Sequence, residues 1–336
     1  MVAAFISGCA STKLSVDERA FFSDVNPWGL ILFKRNCETA EQIRALVDDY
    51  RGIVGRADAP VLIDQEGGRV QRLTNPHWRV YPSPEALVQA FGDDPETLLE
   101  ACRLHGQLLG SDLAALGITV DCLPVLDLRF DETHAVIGNR SFGRNPETVA
   151  RLAGAQTDGL MAAGVLPVMK HIPGHGRGNV DSHHELPTVT ANHEALSADD
   201  FMPFKTLAQG MPMAMTAHIV YSAIDPDCPA TTSKTMVEDV IRGEIGFDGL
   251  LMTDDLSMQA LAGTLSERAE AAFAAGCDMG LHCNGLFDEM VAVASKTPVL
   301  DGHAKRRADA ALAARRTPEP FDAVAAYARI EVALTT

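Results

Sequence analysis

Apolar positions along this chain fall into two spacings that alternate from one end to the other. Short runs of apolar and β-branched residues read as strands: VAAFI at 2–6, GLILF at 29–33, PVLI at 60–63, ITVDCL at 118–123, VLPVM at 165–169, MAMTA at 213–217, GLLMT at 249–253 and MGLHC at 279–283. Longer amphipathic segments lie between them. In 38–50, Ile43, Leu46, Val47 and Tyr50 stand at i, i+3, i+4 and i+7, which is one face of a helix. Further helices are expected near 95–116, 146–163, 200–208, 233–243, 264–276 and 285–296. The segment 264–276 opens on TLSE, and Gly276 closes it as a C-terminal glycine does.

Alternating strands and helices predict a parallel sheet with helices outside it. Eight strands is the number that closes a (β/α)8 barrel, and 336 residues suit that fold with modest insertions. The expected class is therefore α/β: a single TIM-type barrel spanning 1–336 as one catalytic domain. The Ala-rich stretch 302–336 is expected to be a helical extension packed on the barrel. An open, doubly wound sheet usually announces itself by a Gly-rich turn after the first strand, and FISGCAS is not G-x-G-x-x-G.

Composition narrows the partners. A formal net charge of −17 argues against nucleic acid and against an anionic membrane surface, both of which need basic patches. The seven cysteines are scattered and form no CxxC pair, so they read as free thiols in a reducing cytosol. The opening MVAAFISGCAS resembles a lipoprotein cleavage site at ISGC, but it lacks a basic n-region and its apolar run is short. No stretch approaches the length of a transmembrane helix. The expected location is the cytoplasm.

In a barrel enzyme, polar residues at the ends of strands line the active face. Asp64 follows PVLI, Lys170 and His171 follow VLPVM, His218 follows MAMTA, and Asp254 and Asp255 follow GLLMT. The segment KHIPGHGRGNVDSHHELP, 170–187, adds four of the eleven histidines. As a metal site it is poor: Pro173 and Gly174 separate His171 from His175, so the two cannot share a helix face as an HExxH pair does, and no cysteine is near. As a phosphate cradle it lacks a GK[ST] ending. As an acid/base segment it is well suited. Asp181 and His183, two apart in an extended stretch, point the same way, and a carboxylate would fix the imidazole tautomer. The glycines of 173–180 are expected to form a hinge that carries His183 in and out of the active face.

The motifs LIDQEGGRVQRL (62–73), VIGNRSFG (136–143), KHIPGHGRGNVDSHHELP and LLMTDDLSM (250–258) together resemble glycoside hydrolase family 3. Within it they resemble the bacterial single-domain β-N-acetylhexosaminidases of peptidoglycan recycling. The resemblance implies a retaining mechanism with Asp254 as nucleophile, His183 as general acid/base and Asp181 orienting it. Asp64, Arg72, Arg140, Lys170 and His171 would hold the terminal sugar. The implied substrate is N-acetylglucosamine joined to anhydro-N-acetylmuramic acid, with or without peptide, and the enzyme would be a monomer with no cofactor and no metal. Asp255 leaves the nucleophile with a neighbouring rival. His175 and His184 read as loop-packing residues. Ile172 stands where the family usually has an aromatic, and Arg177 where an acidic residue is common. Rival readings are a β-glucosidase-like member of the family, a Schiff-base aldolase using Lys170, and a non-catalytic sugar-binding protein.

Overall fold

Each of the eight apolar runs becomes a strand of one closed, parallel barrel. The computed structural model describes residues 1–131, 133–178, 180–182 and 185–335. Among them are strands β1 (Ala3–Ser7), β2 (Pro27–Leu32), β3 (Val61–Ile63), β4 (Val120–Asp121), β5 (Leu166–Ile172), β6 (Thr188–Val189), β7 (Met213–Thr216), β8 (Val220–Tyr221), β9 (Leu250–Asp255) and β10 (Met279–His282). The barrel runs β1-β2-β3-β4-β5-β7-β9-β10 and closes β10 onto β1. β6 and β8 pair with each other outside it.

Alternation along the strands explains both the core and the site. Side chains of a strand point in turn to opposite faces. Ile6, Leu62, Val120, Leu166, Val168, Met213, Met215, Leu250, Met252, Met279 and Leu281 pack together inside the barrel. Their neighbours Phe5, Val61, Ile63, Met169, Ala214 and Leu251 pack with the surrounding helices. Counting two further from Leu62, Val168 and Met252 gives Asp64, Lys170 and Asp254. These three are the next inward positions, where the apolar interior ends and the mouth begins.

The helices follow the apolar spacing. Ala40–Val54 buries Ile43, Leu46, Val47, Tyr50 and Val54, is capped by Thr39, and ends on Gly55 at a left-handed φ of 66°. Leu265–Ala275 has the Thr264/Glu267 capping box that TLSE suggested. The 233–243 segment forms wide turns over Met236–Glu244, closing with a five-residue bond from Ile245 N–H to Val240 O. Helices Val16–Val25 and Pro84–Phe91 were not foreseen, although both carry start signals: a Ser15/Glu18 capping box, and a Ser83 cap followed by proline. The first buries only Glu18, Phe21 and Phe22, too few apolar positions for a period to show.

The floor of the barrel is closed from below. Leu300, Ala308 and Ala311 join the interior cluster that includes Trp28. Helix Gly302–Ala313 is tied down by Arg307, which donates to Asp278 at 3.0 Å and to Asp248 at 3.0 Å. With the floor sealed, the open end is the one where the strands finish.

Candidate active site

At that end lies a cavity of about 430 Å3, in the usual range for a small-ligand site. Asp64, Arg72, Arg140, Lys170, His171 and Asp254, expected from the sequence to act together, all line it. Asp181 is half-buried beside Ser182, which also lines it. His183 and His184 lie outside the described residues.

One wall is a buried ion cluster. Lys170 Nζ donates to Asp64 Oδ1 at 2.8 Å and lies 2.7 Å from Glu66 Oε1. Arg72 donates to Asp64 Oδ2 at 3.0 Å and lies over the Phe33 ring. Arg140 grips Glu66 in a two-pronged contact, Nε and an Nη each at 2.8 Å, with a further bond to Val136 O. Three cations thus surround two carboxylates, and the geometry is of the paired, hydrogen-bonded kind that burial demands. Burial alone would raise both acids. Lys170 and Arg72 outweigh it at Asp64 and hold that carboxyl well below the ordinary range, and Arg140 with Lys170 holds Glu66 at about 2. Lys170 is pushed above its ordinary value, because Asp64 and Glu66 overcome the effect of burial.

Glu66 was not singled out from the sequence. It stands two residues past Asp64, on the same parity, so strand alternation carried one step further would have found it. Asp127 was also missed. It is fully buried, accepts His171 Nδ1–H at 2.6 Å, and takes the backbone N–H of His171 and of His175 on its other oxygen. That bond fixes the His171 tautomer and leaves Nε2 as the ring nitrogen available to a ligand. Burial works against the ionised Asp127, but His171 overcomes it and holds the carboxyl at about 2.

On the opposite wall the structure separates the two adjacent aspartates. Asp255 Oδ1 accepts the N–H of Ser257 at 3.0 Å and of Cys283 at 3.1 Å, and its Oδ2 accepts the Ser257 hydroxyl at 2.6 Å. Both oxygens are occupied, Oδ1 in part by tying the end of β9 to the residue after β10 and Oδ2 within the turn that follows β9. Asp254 stands on the inward parity, with its backbone N–H directed to Thr216 Oγ1 at 3.3 Å. His218, read as a strand-end candidate, does not line the cavity. It is fully buried, donates from Nε2 to the Asp255 carbonyl at 3.0 Å, and accepts from Thr231 at Nδ1. Burial lowers its pKa, so it supports β9 as a neutral ring.

The histidine segment corrects one expectation. Residues 173–176 are buried rather than poised to swing. Gly174 N–H bonds His171 O at 2.7 Å, Tyr221 Oη–H donates to Gly174 O at 2.6 Å, and Thr133 Oγ1–H donates to Gly176 O at 2.6 Å. A Cβ on Gly176 would stand 2.2 Å from Leu128 O. Within 173–176 the glycines allow close packing against the chain that follows β4, not a hinge, and residue 179 of the expected hinge lies outside the described residues. His175 is buried beside His171, its Nε2 3.2 Å from Ser182 Oγ, and burial lowers it to about 4. Among the described residues no group of three or more His, Cys, Asp or Glu side chains could hold a metal ion. Nor, among them, is any helix long and apolar enough to cross a membrane.

Comparison with known proteins shows the family and the fold. The family model of the glycosyl hydrolase family 3 N-terminal domain matches residues 5–310. A "Beta-hexosaminidase" of Alkalilimnicola ehrlichii is 42% identical over 280 residues, covering 82% of this chain and 79% of that protein. The solved structure of native NagZ from Neisseria gonorrhoeae aligns with a TM-score of 0.88 at 33% identity, over 98% of this chain and 97% of that one. A family 3 β-N-acetylglucosaminidase from a Paenibacillus strain aligns with a TM-score of 0.81 at 32% identity. It matches 98% of this chain, which spans only 61% of that longer protein. The chain belongs to glycosyl hydrolase family 3, in its β-N-acetylhexosaminidase branch.

Proposed function

We propose that this chain is an exo-acting, retaining β-N-acetylglucosaminidase. Its substrate class is N-acetylglucosamine joined to anhydro-N-acetylmuramic acid, with or without peptide. It would act as a cytoplasmic monomer on fragments of peptidoglycan, without a metal or cofactor. The observation that carries the reading is the division between the two aspartates of β9. Both line the cavity, but Asp255 has its oxygens bound by Ser257 and by the Cys283 N–H, while Asp254, whose Oδ1 accepts the Asp255 N–H at 2.8 Å, stands on the inward parity of β9 with Met252.

In the first step an Asp254 oxygen attacks the anomeric carbon as the bond to the leaving oxygen breaks. The His183 imidazolium gives its proton to that oxygen. In the second step the neutral imidazole takes a proton from water, whose oxygen attacks the same carbon and releases Asp254. Two displacements retain the anomeric configuration. A histidine in place of the usual second carboxylate is chemically adequate because one ring can donate and then accept within the neutral pH range. Asp181 would orient that ring. Asp64, kept ionised by Lys170 and Arg72, can accept from sugar hydroxyls, and the N–H groups of Arg72, Arg140, Lys170 and His171 can meet oxygens of the terminal residue.

The aldolase reading is disfavoured by Lys170 itself. A Schiff-base lysine needs a neutral amine, and this one is clasped by two carboxylates and raised in pKa. The substrate reading is tested by assaying purified protein on chromogenic N-acetyl-β-glucosaminide and β-glucoside side by side. Turnover of the first with little of the second is expected. Preference for the glucoside would overturn the proposal.

A further inference from the structure

Arg177 belongs to the histidine segment but does not line the cavity. Its Nε donates to Asp200 Oδ2 and an Nη to Asp199 Oδ2, each at 2.7 Å. The guanidinium lies over Phe130, 4.0 Å from the ring centroid. Three stretches of chain therefore meet on one side chain: the histidine segment after β5, the loop after β4, and the turn between helices His193–Ala198 and Met202–Leu207. Asp200 is 1% exposed, so the clasp is partly in the interior. Two carboxylates in the plane and a ring on the face fix a guanidinium in both position and orientation, which a lysine's point charge cannot reproduce. The backbone beside it is held as well, through Gly178 N–H to His175 O at 3.0 Å.

We propose that Arg177 is a positioning residue for proton transfer. Its clasp with Asp199, Asp200 and Phe130 fixes the point at which the chain leaves the barrel wall toward Asp181 and His183. This rests on the reading of His183 as acid/base. Three residues of chain, four Cα–Cα steps, separate Arg177 from Asp181, a span of at most roughly 14 Å. A shift of the anchor is therefore passed on to the dyad, and misplacement by about 1 Å is enough to slow a positioned step about a hundredfold. Lys170 and His171 sit on β5 and Asp254 on β9, Asp64 and Arg72 follow β3, and Arg140 ends the short helix Gly138–Arg140; none of them is a partner in the clasp.

The test measures kcat and KM for Arg177→Ala, Arg177→Lys and Asp199→Asn beside wild type and His183→Ala. The substrates are an aryl N-acetyl-β-glucosaminide with a good leaving group and an alkyl one with a poor leaving group. Melting temperatures identify any variant that fails to fold, in which case Arg177→Lys and Asp199→Asn still decide. The expected result is a loss of about tenfold or more in kcat/KM, which reports the first displacement, on the alkyl substrate for Arg177→Ala. The aryl kcat/KM should stay within about twofold, with Asp199→Asn milder in the same direction. Equal losses of kcat/KM on both substrates, or wild-type behaviour on both, would overturn the proposal. If His183→Ala itself shows no leaving-group dependence, the acid/base assignment has failed. If it does and the Arg177 variants do not, that assignment stands and the clasp is merely structural.

Discussion

Glu66 shows how much of the site depends on a residue that meets almost no solvent. Its two oxygens hold Arg140 and Lys170, and Lys170 in turn holds Asp64. Removing one partner of a buried pair leaves the others charged and uncompensated, which costs about 3–5 kcal/mol. Glu66→Ala should lower stability by that order in urea unfolding. Glu66→Gln, which keeps shape but loses charge, should raise KM more than it lowers kcat. Little change in either would mean that the cluster does not order the sugar-binding wall. At the proton-transfer residue, His183→Ala should slow substrates with poor leaving groups far more than aryl glycosides, which depart without protonation. The residues at strand ends were legible because charge after an apolar run is conspicuous. Glu66 was passed over although it keeps the parity of Asp64, and Asp127 was not legible, since it lies in the loop after β4, whose path the strand spacing does not reveal.

The barrel strands were almost wholly legible at the level of elements, because a strand covered on both faces leaves a continuous apolar run. The sequence was less informative about the histidine segment. Glycine permits both a hinge and a close approach, and composition alone does not separate the two. Burial does separate them. Gly176 lies against the Leu128 carbonyl with no room for a methyl group. Gly176→Ala should therefore destabilise the protein by about 1–3 kcal/mol, as overpacking does, and slow both substrate types alike. A hinge would instead give an unchanged melting temperature and a selective loss in turnover.

Across the whole molecule, buried histidines link stability to pH. Burial lowers His105 and His175 to about 4 from an ordinary 6.5. The unfolded chain therefore binds protons that the folded one refuses between those values. Stability contributed by each ring is complete above about pH 6.5 and is lost as pH falls toward about 4, on the order of 3 kcal/mol per histidine. Urea midpoints should fall across that window, and His105→Gln should flatten the slope. A slope unchanged by the substitution would contradict the neutral, buried assignment. Exhaustive chelation should leave activity intact, and zinc-restored loss would point to a metal among the histidines. The most direct test of the central claim is to trap the glycosyl-enzyme. A 5-fluoro N-acetylglucosaminide should add one sugar per intact chain, and peptide mapping should place it on Asp254. An adduct on Asp255, or none on an enzyme that is otherwise active, would contradict the mechanism.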